Sequence, residues 1–291
     1  MLQTIVLGLI AGTIYGLLAV GIVLIYKGSG VLNFAQGEIG TASLYVTSVV
    51  STRLHAPYLA AAAAAVATAL LIGLLFERFV VRPMGGSSRI AVTIATVGLL
   101  TLLVSLEFLF FGPAPQPVPK PLPGIGTNIA GVIVQPAQEL SVLVIVVVGA
   151  ALTLFLRFTD FGLAVLAAAQ DATAVRLMGI PLSRVSAFTW AVGSGVAALA
   201  ALLISPTIGI GVAPGFLGGF FVSALAAALV GGLNSLPGAF VGGLVIGLVE
   251  AEAFDLGSNV QGLPGFREMG VFAVILLVLL FRPRGLLGRA A

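Results

Sequence analysis

Charge is scarce in this sequence. Asp, Glu, Lys and Arg make up 8% of its 291 residues, against about 25% in soluble domains. With 59% hydrophobic residues and a mean hydropathy of +1.21, no single soluble core could bury so much apolar surface. A soluble globular domain is therefore excluded, and an all-α polytopic membrane protein is left. Cysteine is absent, which excludes disulfides and thiolate metal sites and leaves the compartment open. The one histidine, His55, falls at an expected outer edge, where it suits an interfacial residue better than a ligand. No His-Glu-x-x-His, Gly-x-Ser-x-Gly or Walker A sequence occurs, so neither hydrolase chemistry nor ATP binding is expected of this chain. No cofactor or metal is expected either. No Lys or Arg precedes the first apolar run, which argues against a cleaved signal peptide. The expected spans carry no mid-bilayer series of acids and bases, which counts against a proton- or sodium-coupled carrier. A net charge of +3 on such a chain gives no reason to expect a nucleic-acid partner.

What is present is a series of apolar runs. A span needs about 20 apolar residues. Candidates are 2–26, 38–54, 57–80, 89–111, 139–157, 185–205, 216–233, 237–254 and 268–282. Arg78, Arg82 and Arg89 flank one short loop, Arg157, Arg176 and Arg184 mark the central loop, and Arg282, Arg284 and Arg289 mark the C-terminal end. The positive-inside rule makes these three regions cytoplasmic. The loop 112–138 has only Lys120, and the stretch after 250 carries Glu250, Glu252 and Asp255. Both are expected outside. About nine crossings (eight to ten) in one transmembrane domain, 1–291, satisfy this parity, with the N-terminus outside and the C-terminus cytoplasmic. The segments 38–54 and 216–254 are the ones that could be re-entrant. Gly, at 38 residues, suits helices that approach closely.

Three stretches interrupt the runs. In the outer loop Pro113, Pro115, Pro117, Pro119, Pro121 and Pro123 alternate with other residues. Proline fixes φ and removes donors, so an extended strap without ladder partners is expected, as a rigid connector or as a platform for an external partner. Lys27 to Glu38 and Gly231 to Gly238 both contain Leu-Asn with a Gly four residues after the Asn. Asn33 and Gln36 have capping-box spacing, and Pro237 suits a first helical turn. These are either span starts capped at the inner interface or broken helices that line a transport path. Hydroxyls inside spans, such as Thr13, Thr41, Ser43, Thr93, Thr96, Thr101 and Ser105, are expected to bond back to their own helices. Glu38 and Glu107 lie near expected span ends, where a carboxylate can still reach water.

The central stretch, Gly162 to Val185, is the organising one. Leu163, Leu166, Ala167, Ala174, Leu177 and Met178 recur at helical spacing, while Gln170, Asp171, Thr173 and Arg176 fall elsewhere. One amphipathic helix is expected, ended by Gly179 with Pro181 beyond it. On the charged side of a membrane protein such a helix docks a soluble partner, or lies on lipid or on its own bundle.

Several local sequences resemble one family. They are Gly12-Thr13-Ile14-Tyr15 with Leu17, Leu32-Asn33-Phe34-Ala35-Gln36-Gly37-Glu38, Glu77-Arg78 with Arg82-Pro83, and Ala169-Gln170-Asp171 with Arg176-Leu177-Met178-Gly179-Ile180. Then come Val230 to Ala239, VGGLNSLPGA, and Arg282 to Gly288, RPRGLLG. In this order and over nearly the whole chain they resemble the inner-membrane permeases of branched-chain amino acid ABC importers, specifically the first of two paired permeases. The Gly-Gly-x-x-Ser-x-Pro-Gly element is shared with relatives that carry urea or other small amides.

The resemblance implies a multi-pass protein of the bacterial inner membrane. It pairs with a second permease subunit, two cytoplasmic ATP-binding subunits and an external solute-binding protein, on which selectivity largely rests. It also implies alternating access without chemistry in this subunit, with membrane lipid around it. The loop 158–184 becomes the element that couples to the ATPase, through Gln170, Asp171, Arg176, Leu177, Met178, Gly179 and Ile180. The family often has Arg where this chain has Leu163 and Leu166. The translocation path, between the two permeases, is expected to use Asn33, Gln36, Glu38, Thr93, Thr96, Asn234 and Ser235. Two other readings stay open: the same machine for urea, short amides or another small solute, and a stand-alone channel or secondary carrier.

Overall fold

The computed structural model describes residues 1–122, 124, 126–129, 131–209, 211–258, 265–282 and 285–287. Its helices follow the apolar runs in order. α1 (Leu2–Ser29), α2 (Gln36–Thr52), α3 (Tyr58–Phe76), α4 (Arg89–Phe111) and α5 (Pro136–Phe158) come first. Two short helices, α6 (Asp160–Gln170) and α7 (Ala172–Leu177), separate them from α8 (Leu182–Ile208), α9 (Gly218–Gly231), α10 (Leu236–Ser258) and α11 (Phe266–Phe281). By length and composition α1, α4, α5, α8 and the segment Tyr58–Val81, where a π-helical turn extends α3, can cross a membrane. α2, α9 and α11 are shorter, at 17, 14 and 16 residues. The chain is an all-α polytopic membrane protein.

Helix ends have local causes. α1 stops at Gly30, which adopts a left-handed φ of 69° and donates to Tyr26 O, with Lys27 in the last turn facing the carbonyl end. The Ser88 hydroxyl accepts from Ala91 N at 3.2 Å and caps α4. α5 starts with Pro136 in its first turn, and the Gln138 side chain accepts from Gln135 N at 2.8 Å.

α1 is the axis of the bundle. It is buried over most of its length and packs along α10, α8 and α9. Its contact with α10 depends on glycine. Gly8, Gly12 and Gly16, spaced four apart, face Gly247, Gly243 and Phe240, and a Cβ at position 12 would lie 2.8 Å from Gly243 O. In lipid, where burial of apolar surface gives helices little reason to associate, such small-residue seams permit the close backbone approach that van der Waals attraction requires. α4 is the opposite case. It buries Val92, Thr96, Leu99, Leu103 and Glu107 on one side and turns Ile90, Ile94, Leu102, Leu109 and Phe110 outward. The backbone hydrogen bonds of a helix are internal, so this apolar outer face is compatible with lipid.

One expectation about the loops is corrected. The proline strap does have a ladder partner: Gln116, between Pro115 and Pro117, exchanges two backbone hydrogen bonds with Val212, at 2.7 and 2.9 Å. Gln116 keeps the N–H that its neighbours lack, so the strap can pair at that one position. Pro123 lies outside the described residues. A small antiparallel hairpin, β1 (Thr127–Ile129) with β2 (Val132–Val134), follows the strap. Gly131, with φ 88°, turns it.

Candidate functional site

The first interrupted helix starts inside the protein. Asn33 and Gln36 are fully buried. Asn33 Nδ2 donates to Gln36 Oε1 at 3.1 Å, and Asn33 Oδ1 accepts from Ala35 N at 3.0 Å. Gln36 Nε2 donates to Gly193 O, in the middle of α8, at 2.7 Å. The pair is therefore not a capping box. The two amides bond to each other and tie the start of α2 to α8. Thr96 Oγ1 on α4 accepts from Phe34 N at 3.1 Å and donates back to Thr93 O at 2.6 Å. Thr93 itself bonds back to Arg89 O. Of the two expected alternatives, the capped start gives way to a helix start held by hydrogen bonds to α8 and α4.

The second stretch, Gly231 to Gly238, behaves differently. It is a tight turn between α9 and α10. Asn234 is exposed, and Ser235 Oγ accepts from Gly238 N at 3.0 Å. Gly231 and Gly238 touch backbone to backbone. Beside them Leu286 N donates to Val230 O at 2.7 Å, so the chain after α11 returns to the end of α9. Pro283, Arg284 and Gly288 of the closing motif, and Arg289, lie outside the described residues.

Above the first break, Glu38 and Glu107 are not near water. Their residues are 3% and 4% exposed. The cause is the segment before α9, which folds back against α2: Leu217 N donates to Thr41 Oγ1 at 3.1 Å. Gly215 N donates to Glu107 Oε2 at 3.4 Å, and the same N–H faces Glu38, as does Thr41. The two carboxylates lie close enough to act on each other electrostatically, and both act on the Tyr45 hydroxyl. Tyr45 is 2% exposed, and its ring stacks on Phe111 at 4.2 Å. Glu38 Oε2, Glu107 Oε1 and the Tyr45 hydroxyl have no hydrogen-bond partner. A cavity of about 300 Å³ runs between α2 and α4, with Glu107 and Tyr45 in its wall and otherwise apolar side chains. The sequence reading expected Glu38 in the path and did not connect it with Glu107 or Tyr45. The available signal was a carboxylate inside an apolar run.

Another buried acid reverses an expectation. Glu250 is not part of an outer acidic rim, because α10 continues past it to Ser258 and turns it inward. Tyr15 donates to Glu250 Oε2 at 2.8 Å, Arg267 Nη2 reaches the same oxygen at 2.8 Å, and Ser223 Oγ donates to Oε1. Arg267 also donates to the Tyr15 hydroxyl at 3.0 Å. This network joins α1, α9, α10 and α11. At the other end of the bundle Arg82 pairs with buried Glu77 at 2.8 Å and reaches Ser183 O at 3.3 Å, beside the start of α8.

The central stretch is two helices, not one. Asp171 adopts φ −144° and ψ 97°, and its Oδ1 accepts from Thr173 N at 2.8 Å and Ala174 N at 3.0 Å. It is the N-cap of α7. Gly179, with φ 81°, ends α7, and Ile180 N returns to Val175 O at 3.2 Å. The sides are also redistributed. Val165 and Val175 are buried, while Leu177 is 85% and Met178 65% exposed. Gln170 and Arg176 are exposed as well. The expected apolar stripe is therefore split: α6 packs on the bundle, and α7 holds on by Val175 and presents Leu177 and Met178 outward.

Comparison with known proteins adds to this geometry. The family described as "Branched-chain amino acid transport system / permease component" matches residues 4–281. The high-affinity branched-chain amino acid transport system permease protein BraD of Pseudomonas aeruginosa is 35% identical, over 99% of this chain and 96% of its own. The corresponding LivH of Escherichia coli is 32% identical over the same shares, 99% and 96%. Among solved structures, PsaBC from Streptococcus pneumoniae in complex with Fab superposes with a TM-score of 0.52 at 14% identity, covering 96% of this chain and 91% of that one. That similarity concerns the fold alone. A sequence match spanning almost the whole chain, borne by a bundle with the same order of apolar helices that the sequence shows, places this chain in the branched-chain amino acid transport system permease family.

Proposed function

We propose that the chain is a permease subunit of an ATP-driven importer, carrying branched-chain or other hydrophobic amino acids across a bacterial inner membrane. The observation that carries this reading is the full-length match to relatives named for that transport. In it the chain is the first of two paired permeases. It works with the second permease, two cytoplasmic ATP-binding subunits and an external solute-binding protein. It performs alternating access and leaves ATP hydrolysis to its partners.

The helices α1 to α5 and α8 to α11 are then nine crossings, with the N-terminus outside and the C-terminus cytoplasmic. The Arg82–Ser183 contact supports this orientation, since it brings two basic loops to one end of the bundle. The segment 158–184 lies at that end and couples to an ATPase. Leu177 and Met178 fill a pocket on it, Arg176 and Gln170 flank them, and Asp171, Gly179 and Ile180 shape the short helix that presents them. The loop 112–138 faces outside. The path runs along the partner permease. Asn33, Gln36, Thr93 and Thr96 hold the helix start that brings Glu38 toward it, and Asn234 and Ser235 sit at its cytoplasmic end.

The test is purification in mild detergent with leucine, valine and urea uptake in the same cells. Wild type should bring down a second permease and ATP-binding subunits and take up leucine and valine. An interface anchor is worth about 2 kcal/mol or more, so Leu177→Ala with Met178→Ala should loosen ATPase recovery or uncouple hydrolysis from uptake at normal membrane level. Unchanged recovery and uptake would remove α7 from the coupling contact. Uptake of urea in place of leucine would change the cargo and keep the machine.

A further inference from the structure

We propose that Arg82 is a positioning residue for energy coupling. Held by Glu77, it ties the start of α8 to the end of α3, so that movement delivered at α7 reaches α3 and α4 as well as α8. This rests on the reading of the chain as an importer permease driven by an ATPase at α7. The π-helical turn Glu77–Val81 is the first observation. In an α-helix residues three and four apart share a face, whereas residues five apart lie about 140° apart around the axis. The turn widens the spacing to five, with Arg82 N donating to Glu77 O at 2.8 Å. Arg82 then stands over Glu77 and grips it with two nitrogens, Nε to Oε1 at 3.4 Å and Nη2 to Oε2 at 2.8 Å. Single π-turns of this kind are rare and occur frequently at functional sites.

The grip aims the guanidinium at a second element. Arg82 Nη2 also donates to Ser183 O, 101 residues on, at 3.3 Å. A cation that only neutralised buried Glu77 would need nothing from α8. Ser183 lies in the first turn of α8, and only Met178 to Pro181 separate α8 from α7. That link is short and bonded. Gly179 N donates to Arg176 O at 3.0 Å, and Ile180 N to Val175 O at 3.2 Å, while Pro181 has a ring-fixed φ. α7 has a single buried residue, Val175, so little else holds it in place. A push on Leu177 and Met178 therefore arrives at Ser183 with little slack.

The receiving side is tightly packed. Gly73, about one turn before Glu77, lies so close to Trp190 O and the Ser194 side chain that no Cβ fits. The rings of Phe76 and Trp190 are 5.4 Å apart. Close-packed interiors transmit displacement, and Arg82 closes this α3–α8 contact at the end next to α7. Beyond Arg82 the chain passes through the short turn Pro83–Gly86 into α4. α4 carries Thr96, whose hydroxyl accepts from Phe34 N at the start of α2. α8 reaches the same helix start directly, through Gly193 O and Gln36. Two routes thus lead from α7 to the interrupted helix, and Arg82 keeps them in step.

The experiment uses the whole transporter, co-purified with its partner subunits and reconstituted in proteoliposomes with its binding protein and leucine. Arg82→Met alone would strand the Glu77 charge, so the main variant is Glu77→Gln with Arg82→Met, in which both charges go. Membrane level and ATPase recovery should stay near wild type and hydrolysis should persist. Leucine imported per ATP should fall about 5-fold or more, the lower end of coupling between sites. Glu77→Gln alone keeps an acceptor for Arg82 and the tie to Ser183, so it should keep most of the coupling. Arg82→Lys keeps a cation without the two-nitrogen grip and should fall between. A lower thermal midpoint with an unchanged leucine-to-ATP ratio would make the pair merely structural and overturns the proposal. A loss with Glu77→Gln as deep as in the double variant overturns it too. A second measurement needs no import. The chain has no cysteine, so spin labels can be placed on Ser87→Cys and Arg184→Cys, both at exposed positions. With Glu77 and Arg82 intact their separation should be the same with and without ATP, and in the double variant it should shift or broaden. A shift on ATP binding with Glu77 and Arg82 intact means that α3 and α8 part there, which overturns the proposal, and this distance decides alone if the double variant fails to assemble. If wild type recovers no ATP-binding subunit, the import reading fails and the proposal with it. If it recovers them but imports no leucine, the cargo reading falls and the distances still decide on Arg82. If wild type imports leucine and the double variant is coupled as tightly, the role of Arg82 falls and the import reading stands.

Discussion

Glu250 engages both carboxylate oxygens, one with Tyr15 and Arg267 and the other with Ser223. Glu38 and Glu107 are buried to a similar degree in the same bundle, and each leaves an oxygen open. The difference lies in the neighbours. Glu250 sits where four helices converge and each contributes a donor or a contact, so the acid serves as a clamp between α1, α9, α10 and α11. The Glu38–Glu107 pair sits beside the segment that precedes α9, with the Gly215 N–H and the Thr41 hydroxyl as its polar neighbours. Burial alone does not distinguish these acids; the oxygens left without a hydrogen-bond partner do.

The largest effect should come from breaking the clamp. Arg267→Ala leaves Glu250 buried without its cation, and removing one partner of a buried pair costs about 3 kcal/mol at the lower end of such cases. The lower end applies because Arg267 is half-exposed. The expected result is a clear drop in membrane level and in the thermal midpoint of the purified complex. Adding Glu250→Gln to Arg267→Ala should recover part of both, since the stranded charge is gone. If Arg267→Ala is as stable as wild type, the ion pair is not a clamp, and the contrast with Glu38 and Glu107 loses its meaning.

A middle-sized effect is expected at the interior start of α2. Gln36→Leu removes the bond to Gly193 O and strands the Asn33 amide. An unsatisfied buried polar group costs about 1–3 kcal/mol, so the variant should accumulate less and melt earlier than wild type. Asn234→Leu, at the similar-looking stretch on the surface, should change neither. Equal effects at both positions would show that the two stretches have the same role after all.

That pair also shows what local sequence can carry. Apolar runs were legible because hydropathy alone encodes them: the run 89–111 is α4 (Arg89–Phe111), and 216–233 holds α9 (Gly218–Gly231). The two Leu-Asn stretches look alike in sequence, yet one is buried against the middle of α8 and the other is exposed. Nothing within either stretch states its depth. Glu250 was misplaced for the same reason. Its partners Tyr15, Ser223 and Arg267 lie 235, 27 and 17 residues away, and the nearby Glu252 and Asp255 made an exposed cluster the simplest reading. Glu38 was expected in the path only because it belongs to the motif Asn33 to Glu38. Glu107 and Tyr45 belong to no motif, and only the fold brings them to it.

The smallest effect concerns Asp171, where partnering again decides the role. The family resemblance makes Asp171 a contact for the ATPase, whereas its Oδ1 already accepts two backbone N–H groups of α7. A cap and a charged contact predict different variants. Asparagine caps about as well as aspartate, while alanine forfeits about 1 kcal/mol of helix stability. If the cap is what matters, Asp171→Asn should keep ATPase recovery and uptake near wild type. Asp171→Ala should lower uptake a few-fold, because α7 frays and Leu177 and Met178 lose their fixed direction. The measurement is uptake at matched membrane level, with hydrogen exchange across 171–178 as the direct view of fraying. A loss with Asn as deep as with Ala would make the charge itself the contact.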